Sequence, residues 1–309
     1  MKLTPADEAY PEALRELPAQ PHLTVTGPLD AKRVIAVVGS RQPLEDMRAF
    51  AHTLAGKLAR AGATVVSGGA VGIDAAAHQG ALDAGGATWV VCGTGKNHVY
   101  PPEHGPLFDT IARSDGSRVI WPFADEVEPS RPNFRHRNGV LVALAEAVIV
   151  VQSRLQSGSR NAAAWARSLK RPTWVVLGLP YGPYLDACAG SWADHKLGAR
   201  VLGNMDELFK ELDLVPDDPQ QARQKRARRK KAPAQLGPVG PELPLFAPRL
   251  STDEKQVISV LSLAPKHVDE IVDLAGLGVS STVTALLTLS MKDVVVEGPD
   301  GFFRRKKAR

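Results

Sequence analysis

Two short glycine-bearing segments carry the residue types that hold an anion. Gly39-Ser40-Arg41 closes an apolar run. Glycine lets the backbone come close, serine offers a hydroxyl, and arginine can fork onto two phosphate oxygens. Ser67-Gly68-Gly69-Ala70-Val71-Gly72-Ile73-Asp74 repeats that logic after a second apolar run. There, bared backbone amides precede a helix start, a place that favours negative charge. Asp74 is placed to cap that helix. Neither segment is a Walker A loop, since no Gly-Lys-Ser/Thr follows. G-x-G-x-x-G is absent after the first run, which counts against a dinucleotide enzyme. His78, His98, His104 and His136 are scattered without metal-ligand spacing, so no metal is expected. No nucleophile–base–orienter set is visible, so neither catalytic residues nor a cofactor is expected and the chain reads as a binder.

These segments need a frame, and the periodicity supplies one. Val34–Val38 is a buried strand-like run, and residues 46–61 follow with Phe50, Leu54, Leu58 and Ala61 on one helical face. Residues 63–67 read as strand and 72–82 as helix; 88–92, 148–151 and 174–177 are further short apolar runs. Alternating strand and helix predict a doubly wound parallel α/β sheet of at least five strands, Rossmann-like, over residues 34–214. Ligands then bind beyond the carboxyl ends of the strands, where Gly39–Arg41 stands. Residues 1–33 read as a lead-in. Residues 215–249 are proline-rich and basic, a linker. Residues 250–305 predict a winged helix: helices over 252–263, 267–275 and 280–290, the last capped by Ser280 or Ser281, then a hairpin around Gly298-Pro299-Asp300-Gly301. The third helix has no Arg or Lys before Lys292, which argues against base-specific groove reading. Residues 306–309 are a basic tail.

Taken in order, Val37-Val38-Gly39-Ser40-Arg41, residues 65–78 and Gly80-Ala81-Leu82 closely resemble the DprA/Smf family of DNA-processing proteins. So do Gly93-Thr94-Gly95, Tyr100-Pro101, His104, Phe134, Arg137-Asn138, Ser157-Gly158-Ser159 and Gly198-Ala199. Tyr10-Pro11 and Leu14 echo that family's lead-in. The resemblance implies a core that binds single-stranded DNA, forms a homodimer, and loads the recombinase RecA in natural transformation. It implies that Arg41 grips a phosphate, that Arg137 adds a second contact with Asn138 beside it, and that Phe134 stacks on a base or packs beside the groove. Gly39 and Ser40 would accompany Arg41; Ser67, Gly68, Gly69 and Gly72 would shape the groove wall; Lys96 would be a further cation. The chain departs from the family's usual pattern at residues 119–122, at Gly139, at Asn161-Ala162 and at residues 179–182. A nucleotide-binding sensor or enzyme of similar outline remains the alternative, although the Pro-Gly-Gly-x-Gly-Thr loop of such enzymes is missing. A regulator acting through the winged helix is the third reading.

Charge is localised. Residues 223–231 hold seven Lys/Arg and residues 304–309 five; setting those twelve aside from 38 leaves 26 against 33 acids, a net of −7. A mildly acidic body with two basic runs suits loose contact with a polyanion. Two cysteines, Cys92 and Cys188, argue for a reducing compartment rather than a disulfide framework. The absence of a long apolar run and of an apolar segment near Met1 predicts a cytoplasmic protein without a membrane partner.

Overall fold

In this computed structural model, residues 1–178, 182–215, 251–262, 265–291, 294–297 and 302–305 are described. The linker and basic run, the turn at 298–301, the tail at 306–309 and the departure at 179–181 lie outside them. The chain divides into two compact units, Met1–Ala232 and Pro233–Arg309.

The first unit opens with β1 (Lys2–Leu3), a 3-10 turn at Glu12–Glu16 and β2 (Leu23–Val25). Strand and helix then alternate: β3 (Val34–Val38), α1 (Glu45–Arg60), β4 (Thr64–Ser67), α2 (Ile73–Asp83), β5 (Thr88–Val91) and α3 (Gly105–Arg113). The alternation continues through β6 (Arg118–Trp121), α4 (Arg131–Leu144), β7 (Ala147–Val150), α5 (Gly158–Ser168) and β8 (Thr173–Val175). α6 (Tyr184–Ala187), α7 (Ala189–Lys196), β9 (Arg200–Val201) and α8 (Met205–Glu211) complete it.

The sheet runs β1-β2-β6-β5-β4-β3-β7-β8-β9. The seven strands from β6 to β9 are parallel, and β2 and β1 join antiparallel at the β6 edge. The parallel sheet expected over residues 34–214 is present, and the lead-in extends it with two antiparallel edge strands. They are two and three residues long, too short to show a period. Tyr10, Leu14 and Leu17 bury themselves in the same core as Val34, Ala36 and Val38, so the lead-in is part of the packed layer.

The five-residue apolar run of β3 has its reason here. Val34, Ala36 and Val38 face one core with residues of α4 and α5; Ile35 and Val37 face the other with α1, α2 and α8. A strand covered on both faces must be apolar throughout. Strand order reverses between β3 and β7, which pair with Val38 opposite Val150. That topological switch point is where an open α/β sheet leaves a crevice.

The second unit is the expected winged helix. α9 (Thr252–Val260) starts at a capping box of Ser251 and Glu254. β10 (Lys266–His267) leads to α10 (Val268–Ala275), closed by Gly276 at a left-handed φ of 64°. α11 (Val279–Met291), β11 (Val295–Glu297) and β12 (Phe302–Arg305) follow, with β12 pairing both β10 and β11. Val257, Ile271, Leu286 and Leu289 form its core. Ser280 and Ser281 lie inside α11, not at its cap, because the helix already begins at Val279. Among the described residues, no single helix is long and apolar enough to cross a membrane.

Candidate functional site

At the switch point lies a cavity of about 1190 Å³. Its walls are the turn after β3 (Gly39–Gln42), the turn before α2 (Ala70, Val71, Asp74), the outer face of α4, and residues 154–162. Tyr100 closes one side. Of the residues expected from sequence, the fold brings together Gly39, Ser40, Arg41, Phe134, Arg137 and Asn138.

The two glycine turns divide their labour. Arg41 is exposed, with its guanidinium 5.2 Å over the Phe134 ring. Ser40 is nearly buried; its hydroxyl accepts from Gln42 N–H at 3.1 Å and fixes the turn. The second turn contributes packing instead. Ser67 Oγ donates to Val37 O at 2.6 Å, tying β4 to β3. A Cβ on Gly68 would strike the Arg137 guanidinium, and one on Gly69 would strike Phe108. Gly72, at a φ of 85°, has no room because Ser40 O would lie 2.4 Å from its Cβ. Ser67, Gly68, Gly69 and Gly72 therefore stand behind the wall, and the surface at this turn belongs to Ala70, Val71 and Asp74. Asp74 sits inside α2, not at its cap, and accepts from Ala70 N–H at 3.4 Å.

Arg137 departs from its expected role. It is only 4% exposed, and its Nη1 donates to Gly68 O and, at 2.6 Å, to Val91 O. Burial lowers its pKa and raises that of the fully buried Asp74, each against the attraction of the other's charge. Arg137 thus forms the floor between β4 and β5, with Nη1 committed to two backbone carbonyls and Nε buried without a partner. Lys96 is not in the wall; it pairs with Asp125 at 3.2 Å. Phe134 packs against Tyr100, centroids 5.2 Å apart, and against Gly93, where no Cβ would fit. Its ring is a mount for Arg41 (a cation–π contact) rather than an open stacking face.

The positive charge comes largely from residues that reading the sequence missed. Arg131 and Arg135 line the cavity from the first turns of α4, and Arg154 from the loop after β7. Two arginines four apart repel, and cations at a helix N-terminus oppose the dipole. Helix stability would not choose this arrangement. Arg154 reaches Asp186 at 3.5 Å, whereas no ion pair of Arg41, Arg131 or Arg135 is found among the described residues. Ser130, which caps α4 by accepting from Asn133 N–H, was the signal in the sequence that places Arg131 and Arg135 on one turn. Across the cavity, Ser153, Ser157 and Ser159 link their hydroxyls at 2.9–3.1 Å and brace the start of α5. The departure at Gly139 has a packing reason: a Cβ there would lie 2.9 Å from the Trp165 indole, which fills the space between α4 and α5.

Residues 2–213 match the family model for DNA recombination-mediator protein A, and residues 241–301 match that for the DprA winged helix domain. The chain belongs to the DprA/Smf family of DNA-processing proteins. The DprA/Smf match begins at residue 2, in agreement with a lead-in that is woven into the sheet. Protein Smf of Synechocystis sp. is 29% identical over 98% of this chain and 80% of its own length. The putative DNA processing protein DprA of Mycobacterium tuberculosis is 37% identical over 61% of this chain and 48% of its own length. Among solved structures, DNA processing protein A of Streptococcus pneumoniae superposes with a TM-score of 0.63 at 28% identity, covering 68% of this chain and 74% of that one. The Helicobacter pylori protein, described for its unique single-stranded DNA binding mode, gives 0.61 at 27% identity, covering 70% and 97%. Among the described residues no group of three or more His, Cys, Asp or Glu could hold a metal ion.

Proposed function

We propose that this chain binds single-stranded DNA in the cavity between β3 and β7, with Arg41, Arg131, Arg135 and Arg154 taking successive phosphates. The observation that carries the reading is the set of these four arginines lining one cavity with, among the described residues, a single acid, Asp74; two of them, Arg131 and Arg135, are placed against helix stability. The single-stranded DNA binding of the Helicobacter pylori relative supports it. Gly39 and Ser40 hold Arg41 at the strand end, Phe134 orients it, and Arg137 keeps the floor rigid. As in the reading from sequence, the protein would act as a homodimer that protects incoming DNA and delivers it to RecA during transformation, without catalysing a reaction. Sedimentation and RecA-filament assembly on coated DNA test those two steps.

The direct test is anisotropy with a labelled 20-nucleotide strand across a salt series. Arg41→Ala should weaken binding roughly 10- to 100-fold, as for one charged hydrogen-bonding contact. The log–log salt slope should become shallower by about 0.7 for the one phosphate left without its partner. Binding indifferent to both salt and Arg41 would overturn the reading. A thermal shift with a mononucleotide and none with DNA would favour the nucleotide sensor instead.

A further inference from the structure

The cavity also holds an amide pair that the phosphate contacts do not use. Asn138, on α4, donates both Nδ2 protons: one to Gly158 O and one to Asn161 Oδ1, each at 3.1 Å. Gly158 O is a carbonyl and can only accept, so the Asn138 amide has one orientation open to it. Its second N–H must then meet an oxygen, which turns the Asn161 amide in the same sense. A backbone carbonyl therefore orients two side chains in series. What remains is Oδ1 of Asn138, an acceptor, and Nδ2 of Asn161, a donor, both on residues that line the cavity.

We infer that Asn138 and Asn161 recognise the hydrogen-bonding edge of a nucleobase, resting on the single-stranded DNA reading above. A phosphate offers acceptors alone, and the Asn138 oxygen would face one unfavourably. A base edge presents an acceptor beside a donor: in thymine, O4 accepts from Asn161 while N3–H donates to Asn138. Phe134 and Asn138 stand four residues apart on α4, hence on one face and about one helical turn apart. The phosphate grip at Arg41, mounted on Phe134, and the edge reader are thus within one helical turn of α4. Such edge contacts let a protein read unpaired bases, whose edges are free, and reject a duplex, whose edges are paired.

The test compares a thymidine 20-mer with the same strand carrying N3-methylthymine, which keeps backbone, stacking and O4 but lacks the N3 donor. The full chain should bind the methylated strand about tenfold more weakly, the cost of one missing hydrogen bond. Asn138→Leu, close in volume and free of the Oδ1 acceptor that meets N3–H, should weaken thymidine binding by a similar factor and close most of that gap. Equal binding of the two strands by the unaltered chain, or a full gap retained in Asn138→Leu, would overturn the inference. Arg41→Ala should weaken both strands alike. If the unaltered chain binds neither strand, it is the single-stranded DNA reading itself that fails.

Discussion

Arg41 and Arg137 carry the same guanidinium and end in opposite environments. Arg41 stands at a strand's carboxyl end, in the open, where its charge has no packing use. Arg137 is buried beside Asp74, with Nη1 donating to Gly68 O and Val91 O. His78 shows the same effect of position more sharply. It is fully buried, with Nδ1 2.7 Å from Thr88 Oγ1, and the Thr88 hydroxyl donates to Val65 O at 2.7 Å. Thr88 can therefore only accept from His78, which places the ring proton on Nδ1 and leaves Nε2 buried without a partner. Burial, helped by His104 and Arg137, lowers the His78 pKa to about 3. The folded state refuses a proton that the unfolded chain takes near pH 6.5. Stability from this site is complete above about pH 6.5 and is lost as pH falls towards 3. The unfolding free energy from urea titrations between pH 7 and 5 should decline by as much as about 1.4 kcal/mol per pH unit below 6.5. The decline should flatten in His78→Gln; an unchanged slope in that variant would assign it to other groups. The two thiols are closed off in the same way, since burial lifts Cys92 to about 12 and Cys188 to about 11. Neither should react with a thiol reagent until the chain unfolds.

At the scale of elements, close approach decides which residues are tolerated. α1 crosses α2 where Gly80 lies against the His52 carbonyl, and a Cβ at Gly80 would come within 2.1 Å of that oxygen. Alanine is the better helix former by about 1 kcal/mol, so an exposed Gly→Ala would stabilise. Here Gly80→Ala should instead destabilise by about 1–3 kcal/mol, because backbone must move to admit it. Chemical denaturation reads the sign directly. Periodicity predicts α1 and α2 to within a residue at each end, since long helices repeat their apolar face several times. β1, β2 and β6 escape such a reading, because two to four residues hold no repeat and Arg118 heads the last of them. Their pairing is decided by partners far along the chain.

For the molecule as a whole, charge is arranged by region. The cavity supplies a local positive site on a body that is acid-rich once the basic runs are set aside. The run at 223–231 adds seven Lys and Arg beyond the sheet domain. A fragment ending at residue 215 retains every cavity residue and both sheet cores. It should keep its preference for single strands over duplex but bind with a shallower salt slope, since each phosphate that the run no longer neutralises takes about 0.7 from it. An identical slope would show that the run makes no contact with DNA.

By itself, the sequence determined that strands and helices alternate, that Gly39-Ser40-Arg41 ends the first long strand, and that a winged helix follows a stretch rich in proline and basic residues. Apolar period and glycine placement are local properties, so they can be read locally. Only the tertiary structure decided which arginines face outwards. Arg131, Arg135 and Arg154 come from two segments that meet only because strand order reverses between β3 and β7. The glycines at 68, 69 and 72 keep their places to admit Arg137, Phe108 and Ser40, contacts that arise when residues from β3, α3 and α4 pack against the turn after β4.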